Sequence, residues 1–250
     1  MALVGGCGRL REWRRNAGGE IGARRPRARG GFRIPAFSLT IDPATGELGG
    51  SGIVPALRTD IFDHWLLIAE QASVESERVH EDAVETPLDD NEGFSKALER
   101  EFRASLVAVV SAAFAIEAFY RSVLEHAPET RVEAGTQDAR IFETLKRAFA
   151  LPAAQHRAIR ENIRVIFRLR DQAVHPHATW VKPVRHPVFN VGMEPRFVNY
   201  RAEHAVNALL LARKVIAFCL RKPKPKYVDL VAWCEPLKDL VPEPSQRASA

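Results

Sequence analysis

An all-α fold is predicted, an up-and-down bundle of about five helices with a short N-terminal β-hairpin or extended arm. Three observations predict it. Apolar residues recur at helical spacing from about Thr59 to Arg221. The breaks between these stretches are short and made of helix-stopping residues, as in Thr86-Pro87-Leu88-Asp89-Asp90-Asn91, Gly135-Thr136 and Leu151-Pro152. One stretch, the later half of the second helix, is apolar nearly all round, as a central element must be. Long helices joined by short links pack as antiparallel neighbours.

The elements follow in order. Residues 1–31 are rich in Gly and Arg and have no apolar period, which predicts a disordered basic tail. Residues 32–55 predict a short β arm. Phe37-Ser38-Leu39-Thr40-Ile41 alternates as a strand does, Asp42-Pro43-Ala44-Thr45-Gly46 is turn chemistry, and Gly49, Gly50 and Gly52 follow. The helical body is expected over 56–222. Its first helix runs from about Thr59 to Glu81, with Ile61, Trp65, Ile68, Ala69 and Ala72 on one face. The second runs from about Glu92 to His126, the third from Gln137 to Ala150, and the fourth from Leu151-Pro152 to His175. A long connection rich in His, Pro, Val and Phe spans 176–198. The fifth helix covers roughly Tyr200 to Arg221 and is stopped by Pro223 and Pro225. Residues 223–250 supply a short amphipathic piece, Val228 to Leu240, and a polar tail.

Composition narrows the class. Hydrophobic residues at 46% and charged residues at 27% are those of an ordinary globular protein. The net charge of +5 is not spread evenly. Residues 1–30 hold eight Arg against Glu12 and Glu20, so the other 220 residues carry a net charge of −1. A basic body would have argued for nucleic acid by itself, and this body does not. The tail has two readings, an arm that touches RNA, DNA or an acidic surface, or a merely solvated segment; the second is favoured. Cys7, Cys219 and Cys234 are odd in number and far apart, which predicts neither a disulfide framework nor a metal site but a reducing, cytoplasmic setting. The longest apolar run, Leu106 to Ile116, is short for a membrane span. Val4-Gly5-Gly6-Cys7 has the look of a lipoprotein cleavage site but lacks an apolar segment before it, so export is not expected.

The chemistry concentrates on the fourth helix. At about 100° per residue, Arg157, Arg160, Arg164, Arg168, Asp171 and His175 fall within an arc of about 80°. Ile159, Ile163, Ile166, Leu169, Ala173 and Val174 occupy the other side. Such an arginine face is ordinary in solvent; lining a cleft, it would attract phosphates. Arg170 falls within the apolar arc, where a guanidinium needs a partner. Glu117, inside Ala113-Phe114-Ala115-Ile116-Glu117-Ala118-Phe119-Tyr120, is a carboxylate similarly out of place. Two readings stay open: a Glu117–Arg170 pair between two packed helices, or an arginine that snorkels while Glu117 faces solvent. Asp171 and His175, four apart on one face, can touch, and a carboxylate beside an imidazole orients it and favours its protonated form. A histidine at a helix end also serves simply to meet the helix dipole. His175, His177 and His186 offer a weak alternative as metal ligands, undercut by Pro176 and by the lack of a carboxylate at ligand spacing. No Gly-rich phosphate loop, Ser/His/Asp arrangement or cysteine nucleophile is visible, and no metal or cofactor is expected.

The order of an Ala/Phe-rich helix with an internal Glu, Ala113 to Leu124, then Ile166-Phe167-Arg168-Leu169-Arg170-Asp171-Gln172-Ala173-Val174-His175-Pro176, resembles the HEPN superfamily over about residues 56–222. The resemblance implies an all-α bundle, with Arg170 and His175 at the positions of that superfamily's spaced Arg and His. In catalytic members this pair serves metal-independent RNA cleavage at a dimer interface; other members bind or scaffold. Active members often have Asn after the Arg, where this chain has Asp171. The implied function is an RNA-processing protein, a metal-independent endoribonuclease of a stress or defence system, working as a homodimer in the cytoplasm without a membrane. In that reading His175 is the acid/base, Arg170 stabilises charge on phosphorus or, if held by Glu117, fixes the geometry, and Asp171 orients His175. Arg164 and Arg168 would bind RNA. The alternative is a non-catalytic dimeric interaction or scaffold module with a protein partner. A third reading is a nucleic-acid accessory factor whose affinity lies in residues 1–31.

Overall fold

The structure, a computed structural model, describes residues 31–33, 39–41, 48–50, 56–58, 60–86, 90–133, 135–174 and 182–241. It divides into two compact units, residues 1–59 and 60–250. Of the expected basic tail, 1–31, residues 1–30 lie outside the described residues, as does the turn at 42–46, while Gly31 is the first residue of a strand.

Among its described residues the first unit contains four three-residue strands: β1 (Gly31–Arg33), β2 (Leu39–Ile41), β3 (Leu48–Gly50) and β4 (Ala56–Arg58). β1 pairs antiparallel with β4, Phe32 opposite Leu57, and β2 pairs antiparallel with β3, Thr40 opposite Gly49. Residues 56–58, expected to open the helical body, are therefore strand, and the boundary between units falls at 59/60.

The second unit is an all-helical bundle of α1 (Phe62–Glu85), α2 (Asn91–His126), α3 (Gln137–Ala148), α4 (His156–Val174), α5 (Pro195–Asn199), α6 (Ala202–Arg221) and α7 (Val228–Cys234). The predicted architecture needs correcting on two counts. There are seven α-helices among the described residues, not about five. The sheet of this unit is a two-stranded antiparallel ribbon in mid-chain, β5 (Val184–Arg185) with β6 (Gly192–Met193), not an N-terminal hairpin. The extra elements were hidden by their brevity. Two-residue strands have no period to read, and α5 is little more than one turn behind Pro195. Both lie in the stretch expected to be a plain connection.

α2 is the spine. Asp90 caps it, its carboxylate accepting the Gly93 N–H at 3.0 Å. Val109, Ala112, Ala113, Ile116, Phe119 and Val123 are buried along it. It is also long and apolar enough to cross a membrane, with half of that apolar stretch buried within the protein. The expected run Leu106 to Ile116 therefore understated its apolar length.

α1 packs on α2 through Phe62, Leu66, Ala69, Ser73, Ser76, Val79 and Ala83. This corrects the expected face. Ile61 and Ile68 are exposed, and the buried stripe runs beside them. Two serines disguised it. Their small side chains allow close approach, and Ser76 Oγ meets Ser105 Oγ of α2 at 2.5 Å, which satisfies both hydroxyls.

The centre of the core is aromatic. Phe119 stands edge-on to Phe62 at 5.4 Å between centroids, stacks with Phe149 at 5.9 Å and meets Trp233 of α7 at 5.7 Å. Trp233 Nε1 donates to Asp60 Oδ2 at 2.9 Å, and Ser122 Oγ donates to Asp60 Oδ1 at 2.6 Å. Leu230, Cys234, Leu237 and Val241 are buried in the same cluster. Residues of 223–241, from the stretch expected to supply a short amphipathic piece and a polar tail, thus pack into the core of the bundle. Proline at 223 and 225 stops α6, but a stop is not a domain boundary.

Candidate functional site

Arg170 lies near the C-terminal end of α4, on the side turned toward α2. Its side chain is only 16% exposed, because Leu169, Phe167 and Ile166 around it face the core. Nη1 donates to Glu117 Oε2 at 3.0 Å, so the misplaced arginine and the misplaced carboxylate meet. The guanidinium carbon sits 4.8 Å from the Phe167 ring centroid. Glu117 also works on a second side: its Oε1 accepts from Gln137 Nε2 at 3.0 Å, and Gln137 Oε1 accepts from Arg140 Nη2 at 2.9 Å. One carboxylate therefore ties α2 to the start of α3 and the end of α4. Tyr200, 2% exposed, braces the same place, its hydroxyl donating to the Leu169 carbonyl at 2.6 Å. Burial pushes the Tyr200 hydroxyl up to about 12, so it stays protonated and a donor.

Asp171 has a different partner from the one expected. Its Oδ1 accepts from Arg170 Nη2 at 2.6 Å and from Nε at 2.9 Å, while the carboxylate itself is exposed. Arg170 is thus shared between two carboxylates, one on α2 and one on its own helix. The expected partner, His175, lies outside the described residues, as does His177. Arg168 is exposed and Arg164 is exposed with Nη1 3.7 Å from Glu161 Oε2. Arg164 lines a groove of about 670 Å³ between α3 and α4, together with Arg157, Arg160 and Lys146; Arg168 lies beyond it.

A second polar centre was not foreseen. Glu101, 2% exposed, accepts with one oxygen from the backbone N–H of Ala202, the first residue of α6, at 2.9 Å, and the same oxygen lies 2.9 Å from His80 Nδ1 of α1. A buried carboxylate at a helix N-terminus is held by the helix dipole as well as by the hydrogen bond. That hydrogen bond to Glu101 raises the His80 pKa above its ordinary value. His186, on the turn after β5, is 1% exposed, and its Nδ1 accepts the N–H groups of Val188 and Phe189 at 3.3 Å each. Its ring stacks on Phe189 at 4.7 Å, and burial lowers its pKa. Its Nδ1 is thus occupied by backbone donors, while its Nε2 is buried without a hydrogen-bond partner among the described residues; His175 and His177, weighed with it as metal ligands, lie outside them. Glu101 carried a readable signal: Ala97, Ser105, Ala108 and Ala112 lie on its face of α2, a stripe of small buried residues that a carboxylate interrupts. His80 and His186 carried none, since their environment depends on three separate segments.

Among the described residues no group of three His, Cys, Asp or Glu could hold a metal ion. Cys219 and Cys234 are free and buried. Burial pushes the Cys234 thiol up to about 12 and the Cys219 thiol well above its usual value, so neither supplies a thiolate nucleophile near neutral pH. No family model, curated protein or solved structure matches the chain.

Proposed function

We propose that the chain is a HEPN-like RNA-processing protein, a metal-independent endoribonuclease that works as a homodimer in the cytoplasm, in a stress or defence setting. The observation that carries this reading is the Glu117–Arg170 ion pair at 3.0 Å, which joins the two segments on which the resemblance rests. Arg170 is engaged by Glu117 and Asp171 and little exposed, so its part in this reading is to position the end of α4 and not to meet the phosphate alone. His175, the next residue after α4, is the acid/base. The ribose 2′-oxygen bonds to phosphorus, the P–O5′ bond breaks, and the 2′-hydroxyl proton ends on the departing 5′-oxygen. The products carry a 2′,3′-cyclic phosphate and a 5′-hydroxyl.

The test is cleavage of RNA by the full chain with chelator present. His175→Ala should lower the rate by at least about 10²-fold without changing the thermal midpoint, and DNA, lacking the 2′-hydroxyl, should resist. A second reading has its own support: two carboxylates on one arginine disfavour an approaching phosphate. If the wild type cleaves no RNA with or without metal yet forms dimers, the non-catalytic interaction or scaffold module replaces the enzyme.

A further inference from the structure

Arg157, Arg160 and Arg164, with one carboxylate, Glu161, line one wall of the α3–α4 groove, and Lys146 with Asp138 and Glu143 lines the other. Two of the four cations already have counter-charges: Lys146 Nζ is 3.2 Å from Glu143 Oε2 and Arg164 pairs with Glu161. Arg157 and Arg160 are exposed and have no hydrogen-bond or ion-pair partner among the described residues, and the same holds for Arg168 further along.

The position of Arg157 is costly. α4 has no acidic residue in its first turn, where Arg157 sits, and Arg160 follows one turn later. A helix N-terminus carries partial positive charge, so cations there weaken the helix instead of strengthening it. Folding alone gives no reason for the arrangement, and a bound anion would reverse its sign. The steps from Arg157 to Arg160, Arg164 and Arg168 are three, four and four residues, which keeps the guanidiniums on one face in a ladder roughly 16 Å long. A compact phosphate ester would use one step of such a ladder; a backbone of successive phosphates uses all of it. Asp138 and Glu143 on the α3 wall would repel a second backbone, so one strand lying on the α4 wall is the fit.

We infer that the α3–α4 groove and the arginine ladder of α4 are a track for the phosphate backbone of a single RNA strand, leading toward the Arg170 end of the helix. This rests on the RNA-processing reading above, yet it is a statement about binding and can be tested apart from cleavage.

The probe is a fluorescent single-stranded RNA of about 12 nucleotides with 2′-O-methyl riboses, which cannot be cleaved through the 2′-oxygen. Its anisotropy is titrated with full-length protein across a salt series. Each lost phosphate contact on a single strand removes about 0.7 from the slope of log K against log salt. Arg157→Gln with Arg160→Gln should therefore flatten the slope by about 1.4 and weaken binding roughly tenfold at low salt. The thermal midpoint should hold or rise, since an ill-placed cation has gone from the first turn of α4. The inference is overturned if the wild type does not bind, if the double variant binds unchanged, or if inorganic pyrophosphate binds as tightly as the strand. It is also overturned if replacing the eight tail arginines by Gln in the full chain abolishes binding that the double variant retains. If the wild type binds as described but never cleaves unmodified RNA, the track stands and the nuclease reading falls.

Discussion

Glu101 and Glu117 stand on the same helix, α2, and both interrupt apolar faces, yet they are stabilised in opposite ways. Glu101 is 2% exposed and is met by a backbone N–H at the start of α6 and by His80. Glu117 has a side chain 24% exposed and is met by Arg170 and Gln137. The first centre uses a dipole and an imidazole whose pKa its carboxylate partner raises; the second uses a guanidinium. The first closes the bundle where α1, α2 and α6 meet. The second joins three helices at the end of α4 while remaining partly open to water. A buried carboxylate can thus serve as a cap or as a clamp, and its partner decides whether pH matters.

The comparison is broken most severely at Glu101. Glu101→Leu removes the acceptor from a buried N–H and a half-buried imidazole, and should cost about 3 kcal/mol, read as a lower urea midpoint. A loss below about 1 kcal/mol would mean that water replaces the carboxylate easily and that the site is not a true cap. At the other centre, Glu117→Gln combined with Arg170→Met should show a coupling energy of about 1–2 kcal/mol in a double-mutant cycle, less than a fully buried pair because both groups keep some water contact. Additive single effects would mean that Asp171 alone holds Arg170. The smallest effect sharpens the contrast in pH. His80 has a raised pKa in the folded state, so its contribution is complete below the ordinary value of about 6.5 and fades as pH rises through the higher folded value. His80→Gln should therefore lose up to about 1 kcal/mol relative to wild type near pH 6 and progressively less toward pH 9. His186 and His204, whose pKa values burial lowers, act in the opposite sense and weaken the fold as pH falls below about 6.5; His204 does so equally in both proteins, and His186 somewhat less once the His80 charge that also lowers it is gone. A His80→Gln deficit that does not change with pH would remove the titrating role from the Glu101 centre.

Several features were legible in the residues. Long helices with strong periods were placed to within a few residues: α2 was expected from about Glu92 to His126 and runs Asn91–His126, and α4 ends at Val174 where His175 was expected. Glu117 and Arg170 were each visible as a charge on an apolar face, because period and charge are both local quantities. Other features were not. The buried stripe of α1 was misjudged because apolar residues alone were used to draw its face, whereas Ser73 and Ser76 are buried, Ser76 against Ser105. The β5–β6 ribbon, α5 and α7 are too short for periodicity to register, and only their burial against the bundle makes them elements.

The sequence by itself determined an all-helical body with α2 at its centre, a charge-poor core interrupted at named positions, and a basic segment apart from a near-neutral body. These follow from the pattern along the chain, which each residue carries wherever it ends up. Tertiary structure alone decided the partners. It gave Glu117 to Arg170, Glu101 to the first N–H of α6, and left Arg157 and Arg160 without an ion-pair partner among the described residues. Hydrogen bonds and ion pairs act over about 3 Å, and which groups come that close is set by how helices distant in sequence pack.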